Sequence, residues 1–358
     1  METSSNAVDG HCFQLKKALM IFLHVAGCSH QDHYRELTDI LQQFENVILT
    51  ADPAQADIII LSDGTPRSIR KIEAYKRFPK KCVAISDSDV TDFYIPALYA
   101  SNHTTFLSRH RALTCSPYTS LFAAQGKRNM WIDRLIDEPM QKDFLYSFIG
   151  GSTSMLRKRI FRHYKSTDQA DVKVAPTDFY QHWSHDAGGK VDKSAQQRVY
   201  IETMRASKFA LCPRGASPSS IRMFEAMELG VAPVVMADGW LPPKGIDLSF
   251  CLFVKESQLA QLDAIVRSHE DEWQQRGALA RLTFNANFGP ISLGHTLEQQ
   301  FRQLQSQRSD FREQLIHAIY PAWTAYTVGK AMARRQLRAL VLAAFRRAGR
   351  SFPYELNR

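Results

Sequence analysis

Short apolar runs alternate with amphipathic stretches along this chain. Residues 18–25, 46–50, 57–61 and 81–86 are nearly continuous apolar segments, too short for a buried helix, and read as core strands. Between them, 32–44 and 67–78 carry apolar residues at helical spacing, and Asp52-Pro53 marks a turn. The second half repeats the rhythm, with strands at 144–149, 172–175, 208–212 and 231–236 and helices at 154–164 and 194–206. Such alternation favours parallel sheets with helices on both faces. Residues 90–141 are less periodic and rich in Thr, Ser, Pro and aromatics, so the crossing between domains is placed near 125–141. The expectation is an α/β chain with domains at 1–130 and 131–290, followed by C-terminal helices at 291–358.

Residues 207–242 are the most informative stretch. The run 208–212 ends in Pro213 and Gly215, a strand breaking into a tight loop, and Pro218 and Ser219 are helix-start signals. Ile221, Phe224, Ala226 and Met227 supply an apolar helix face, and Gly230 stands where a left-handed C-terminal residue costs least. A strand, a glycine loop and a helix N-terminus present free backbone N–H groups and the positive end of a helix dipole, which suits phosphate. Arg214 and Arg222 add charge able to pair with a diphosphate. Glu225, one turn beyond Arg222, is placed to accept ribose hydroxyls. Asp238 closes the next strand, where it either touches a donor sugar or makes an ordinary Asp-Gly turn.

Ser207, Phe209, Leu211, Pro213, Gly215, Ser220, Arg222, Glu225, Ala226, Gly230, Pro233, Val234, Asp238 and Leu241-Pro242, in that order, resemble the signature of the exostosin family, glycosyltransferase family 47. Upstream, Phe148-Ile149-Gly150-Gly151 with Arg157 looks like that family's F-x-G and basic helix, and Tyr200 fits the helix preceding the motif. The resemblance covers roughly residues 142–255. It implies a GT-B fold, with two Rossmann-like domains facing a cleft. It also implies inverting transfer from a nucleotide sugar, UDP-linked, to a glycan or lipid-linked glycan acceptor in surface polysaccharide synthesis. The donor-binding set becomes Gly150, Gly151, Arg157, Arg214, Gly215, Ser219, Ser220, Arg222, Glu225 and Asp238. No metal cofactor is expected, since arginines and helix dipoles can stabilise the leaving diphosphate. The readings set against this are a sugar-nucleotide epimerase, a GDP-fucose-type fucosyltransferase, and a nucleotide- or nucleic-acid-binding protein without catalysis.

Inverting transfer also needs a group to take the acceptor proton. Asp87 and Asp89 follow a predicted strand of the N-terminal half, and His30, with Asp32 and His33, follows the first strand at the same end of the sheet; Asp87, Asp89 and His30 lead the base candidates, with Asp32 and His33 as rivals. Asp32 nearby reads as a helix cap. Asp87-Ser88-Asp89 is also a D-x-D, the metal motif of another glycosyltransferase fold, but three residues match often by chance.

At 358 residues and 44% hydrophobic, the chain is long enough for two ordinary cores. Its six cysteines stand singly, without zinc-ligand spacing, which points to a reducing, cytoplasmic setting. Residues 16–28 imitate a lipoprotein leader, but His24 interrupts the apolar run and favours a first strand. No run reaches the roughly 18 apolar residues of a membrane span. Seven of the net nine positive charges lie in residues 330–350, which contain no acid. There Ala333, Leu337, Leu340, Val341, Ala344 and Phe345 share one helical face and Arg335, Arg338, Arg346 and Arg350 lie largely opposite. That pattern fits either an anionic membrane surface or a terminal helix packed on the protein. Without aromatic-interleaved basic strands or a recognition helix, no nucleic-acid partner is expected.

Overall fold

The computed structural model describes residues 18–24, 38–39, 41–42, 46–61, 69–86, 94–103, 112–114, 129–165, 169–177, 193–289 and 292–347. Two compact units form, residues 1–307 and 308–358.

The first unit contains two parallel sheets. Strands β1 (Leu19–His24), β2 (Val47–Leu49), β3 (Ile58–Leu61), β4 (Cys82–Ser86), β5 (Ala97–Tyr99) and β6 (Ala112–Thr114) form one sheet in the order β2-β1-β3-β4-β5-β6. Strands β7 (Phe144–Gly150), β8 (Val172–Pro176), β9 (Ser207–Pro213), β10 (Ala232–Met236) and β11 (Leu252–Phe253) form the second, ordered β11-β10-β9-β7-β8. Every pairing is parallel. This is the GT-B plan the sequence implied.

The apolar run at 18–25 becomes β1, and Asp52 makes its turn by accepting the Ala54 amide at 2.9 Å. In the stretch expected to be helical from 67 to 78, the described helix is shorter: α1 (Glu73–Arg77) ends as Pro79 opens a 3-10 turn. The short strands β5 and β6 carry no period of their own and were not anticipated; their neighbours in the sheet recruit them.

The second sheet is buried on both faces, as an all-parallel sheet must be. Side chains alternate along its strands: Phe209 and Leu211 join Val234 and Met236 in one core, while Ala210 and Cys212 join Val235 in the other. The first core is closed by α3 (Met155–Lys165) and α6 (Leu262–Arg267). The second is closed by α2 (Trp131–Leu135), α4 (Lys193–Arg205), α5 (Ile221–Glu228) and α7 (Trp273–Asn287). Gly230 ends α5 with φ of 67°, the left-handed geometry its position predicted.

The segment beyond residue 291, expected as one C-terminal piece, divides. Helix α8 (Ser292–Ser306) belongs to the first unit and buries Leu293, Leu297, Phe301 and Leu304 against Leu19, Ile21, Ile58 and Val83 of the first sheet. Helix α9 (Asp310–Arg347) belongs to the second unit.

Candidate functional site

In parallel α/β sheets, ligands collect where strand carboxyl ends open into loops. Here β7, β9 and β10 end at Gly150, Pro213 and Met236; Gly150 and the loops that follow hold all ten proposed donor-binding residues except Arg157 on α3 and Arg222 and Glu225 on α5. Residues following β5 in the first sheet reach the same place. Ser101 Oγ accepts the Ser219 amide at 2.9 Å, the Leu241 amide donates to Asn102 O at 3.0 Å, and His103 pairs with Trp240. The carboxyl edges of both sheets therefore meet at the signature loop, through contacts that sequence reading did not anticipate.

Arg222, on α5, is buried, only 8% exposed. Its guanidinium carbon stands 4.5 Å from the centre of the Phe148 ring and 5.3 Å from that of Tyr200, while Nη2 donates to Ile149 O at the end of β7. Its Nε is buried without an acceptor. Gly150 is small for a reason: a Cβ there would lie 2.9 Å from Arg222 Nη2 and 3.0 Å from the Phe148 ring.

Arg157, on α3, is not the solvated surface charge of a basic run. Its Nη2 donates to Pro213 O at 3.0 Å, Nε to Arg214 O at 3.2 Å and Nη1 to Gly151 O at 3.4 Å, so it ties the loop after β7 to the loop after β9. Its guanidinium carbon also lies over the Phe148 ring, 5.5 Å from its centre. Burial, and then the charge of Arg222, bring Arg157 down to about 9, which leaves it a cation at neutral pH. Among the described residues neither arginine pairs with a carboxylate. Two neighbouring cations without a counter-ion among the described residues, Arg222 buried and Arg157 half-buried, favour an anion beside them.

Ser154 secures this corner, donating to Arg214 O at 3.0 Å and accepting the Arg157 amide at 3.2 Å at the start of α3. Gly215 sits close by, where an added Cβ would come 3.3 Å from Thr153 Oγ1 and 3.5 Å from Arg157 Nη2. Ser220 is the N-cap of α5, one residue later than the sequence suggested, and makes no side-chain capping bond. The positive end of that helix thus faces the loop without its usual side-chain acceptor.

Glu225 is held by Tyr200, whose hydroxyl donates to Oε2 at 2.6 Å. Burial first, and the neighbouring Glu225 charge in addition, push the Tyr200 hydroxyl well above its ordinary range, so it remains a donor. Tyr200 thus places its ring against Arg222 and its hydroxyl on Glu225, fixing both ends of the expected diphosphate-ribose pair. Its position one helix before the motif was the only sequence signal for it.

Arg214 has a partner that sequence reading missed. Glu256, at the start of a 3-10 helix (Glu256–Gln261), takes Nε at 2.5 Å and Nη2 at 3.1 Å. Asp238 joins them: its Oδ1 accepts the Glu256 amide at 3.1 Å and its own amide donates to Glu256 Oε1 at 3.3 Å. The pair expected to point at ligand is a closed knot in this structure, and it braces the loop after β10 against the loop after β9. Gly151, Ser219 and Gly215 line the same corner through backbone. Asp87, Asp89 and His30 lie outside the described residues.

Chemically, the corner offers two guanidiniums, one helix N-terminus and one anchored carboxylate, a set suited to a diphosphate with an attached pentose. Over 133 residues the chain is 29% identical to a protein named as a probable glycosyltransferase of Arabidopsis thaliana, covering 36% of this chain and 22% of that one. Over 74 residues it is 36% identical to a protein of Oryza sativa subsp. japonica named as a probable glucuronosyltransferase, covering 20% and 18%. The chain thus matches less than a quarter of the length of either relative. Among solved structures it is similar to an α1,3-fucosyltransferase with GDP-fucose, at TM-score 0.41 and 12% identity over 85% of this chain and 94% of that one, a likeness too distant to bear on chemistry. Residues 68–269, more than half of the chain, match the exostosin GT47 domain, and the chain belongs to that family.

Proposed function

We propose that this GT47 chain is an inverting glycosyltransferase that moves a sugar from a UDP-linked donor to a glycan or lipid-linked glycan acceptor in surface polysaccharide synthesis. The observation that carries the proposal is the convergence of Arg157 and Arg222 on the Phe148 ring, beside the Glu225 carboxylate anchored by Tyr200.

In the proposed reaction the acceptor oxygen attacks the anomeric carbon from the face opposite the diphosphate. The bond from that carbon to the diphosphate oxygen breaks, its electron pair leaves with the nucleotide, and the acceptor proton passes to a base. Arg222 and the N-terminus of α5 stabilise the charge that grows on the diphosphate. Arg157 holds the two loops that shape this pocket, and Glu225 accepts the ribose hydroxyls. Fixed cations carry the role a metal takes in other transferases. For the base, Asp87, Asp89 and His30 remain the candidates, Asp87 being the next residue in sequence after β4.

Thermal-shift measurements with UDP and GDP test the donor class: a ligand at a hundred times its dissociation constant adds about 2.7 kcal/mol. Stabilisation by UDP supports the proposal, and stabilisation by GDP alone overturns the choice of nucleotide. Incubation with UDP-sugars, beginning with UDP-glucuronate in view of the Oryza relative's name, then tests the reaction. UDP release that requires a glycan acceptor and persists in excess EDTA supports metal-independent transfer. Conversion of the donor to an epimer without acceptor assigns the epimerase instead.

A further inference from the structure

Helix α9 carries an apolar surface that the proposed transferase chemistry does not use. Phe311, Leu315, Ala318, Ala322, Tyr326, Gly329, Ala333, Leu337 and Leu340 recur at three- and four-residue steps and are exposed; Phe311, Leu337 and Leu340 are 74%, 63% and 68% accessible. At 1.5 Å per residue the stripe runs about 44 Å along one side of the helix. A stripe of that extent on a water-facing helix marks an interaction surface.

Charge identifies what covers it. After Glu313 the chain contains no acidic residue through position 350, while Lys330, Arg334, Arg335, Arg338, Arg346, Arg347 and Arg350 fall in its last part. By helical position 330 borders the apolar stripe, 334, 335, 338 and 346 lie away from it on the polar face, and 347 ends it in charge. The α9 of a second copy laid along the stripe brings only Asp310 and Glu313 to meet those cations, and Glu313 already pairs with Arg308 at 3.3 Å. An anionic bilayer supplies both an apolar interior for the stripe and negative headgroups for its margins. Among the described residues no helix is long and apolar enough to cross a membrane, so a helix of this kind lies in the interface plane.

The geometry points to α9 as an in-plane docking helix for anionic phospholipid surfaces, with the stripe from Phe311 to Leu340 entering the headgroup boundary. Such a helix holds the chain beside lipid-linked molecules. The inference stands independently of the donor reading, because it involves no residue of that site.

Flotation of the full-length protein with vesicles of phosphatidylcholine, alone or mixed with phosphatidylglycerol, tests it, alongside the double variant Leu337→Glu, Leu340→Glu. Both residues are exposed, so folding is retained, and an unchanged melting temperature checks this. The wild type is expected to bind the mixed vesicles at least about tenfold more than the neutral ones, with binding falling as salt rises. The double variant is expected to lose that binding. Equal partitioning onto both vesicle types, absence of wild-type binding, or full binding by the variant overturns the inference. So does a dimer by light scattering that the double substitution dissociates, which assigns the stripe to a second copy.

Discussion

The side chains around Arg222 have little room to adjust. Gly150→Ala places a methyl against both Arg222 Nη2 and the Phe148 ring. Of these the guanidinium is the more mobile, so the substitution is expected to displace Arg222 and weaken nucleotide binding about tenfold, read by calorimetry, with a smaller loss of melting temperature. Tyr200→Phe removes a hydrogen bond to a charged carboxylate; a loss of about 1.5–3 kcal/mol in denaturant unfolding is expected. Preserved stability there argues that Glu225 is held by another group. Lys142 shows the same sensitivity in its protonation. Its ammonium donates to Arg205 O at 2.7 Å and Ser207 O at 3.0 Å, and burial, with Arg205 nearby, pushes it down to about 8 from the ordinary 10.5. Between those two values the unfolded chain binds the extra proton, so this group's contribution to stability rises as pH goes from about 8 to 10.5. Lys142→Met should flatten the pH dependence of unfolding in that window; an unchanged slope contradicts the assignment.

At the scale of elements, the position of α7 rests on a glycine pair. A Cβ at Gly277 would lie 2.2 Å from Gly230 O, so the helix meets backbone at the turn after α5 and no side chain can yield. Gly277→Ala is expected to destabilise the protein by at least about 2 kcal/mol, since overpacking against backbone forces the helix outward. A melting temperature equal to that of the wild type would show that α7 shifts freely. Helix α8 has a different dependence, on volume: Phe301 is fully buried against the first sheet, and Phe301→Ala is expected to cost about 3–5 kcal/mol in denaturant unfolding. Of the two, only the first acts on a helix whose packing reaches the strands of the donor side.

Across the molecule, the residues following β5 bind the loop of the second sheet through Ser101, Asn102 and His103. Ser101→Ala removes the acceptor of the Ser219 amide and is expected to speed hydrogen exchange at that amide while leaving exchange in β9 unchanged. The sequence by itself determined most of the strands and the signature. Apolar runs of four to seven residues mark strands wherever both faces are covered, and Gly230 announces a left-handed turn, because each signal depends only on neighbours along the chain. The pairing of side chains was not legible in that way. Tyr200 reaches Glu225 across 25 positions, Arg214 reaches Glu256 across 42, and Arg157 reaches Pro213 across 56. Nor did any local pattern mark β5 and β6, three residues each in a stretch broken by Pro, Ser and Thr, or send α8 back to the first sheet. These outcomes depend on which surfaces remain uncovered once the strands have assembled, and burial of polar groups then dictates their partners. The motif therefore located the corner, whereas folding decided which of its arginines pairs with a carboxylate.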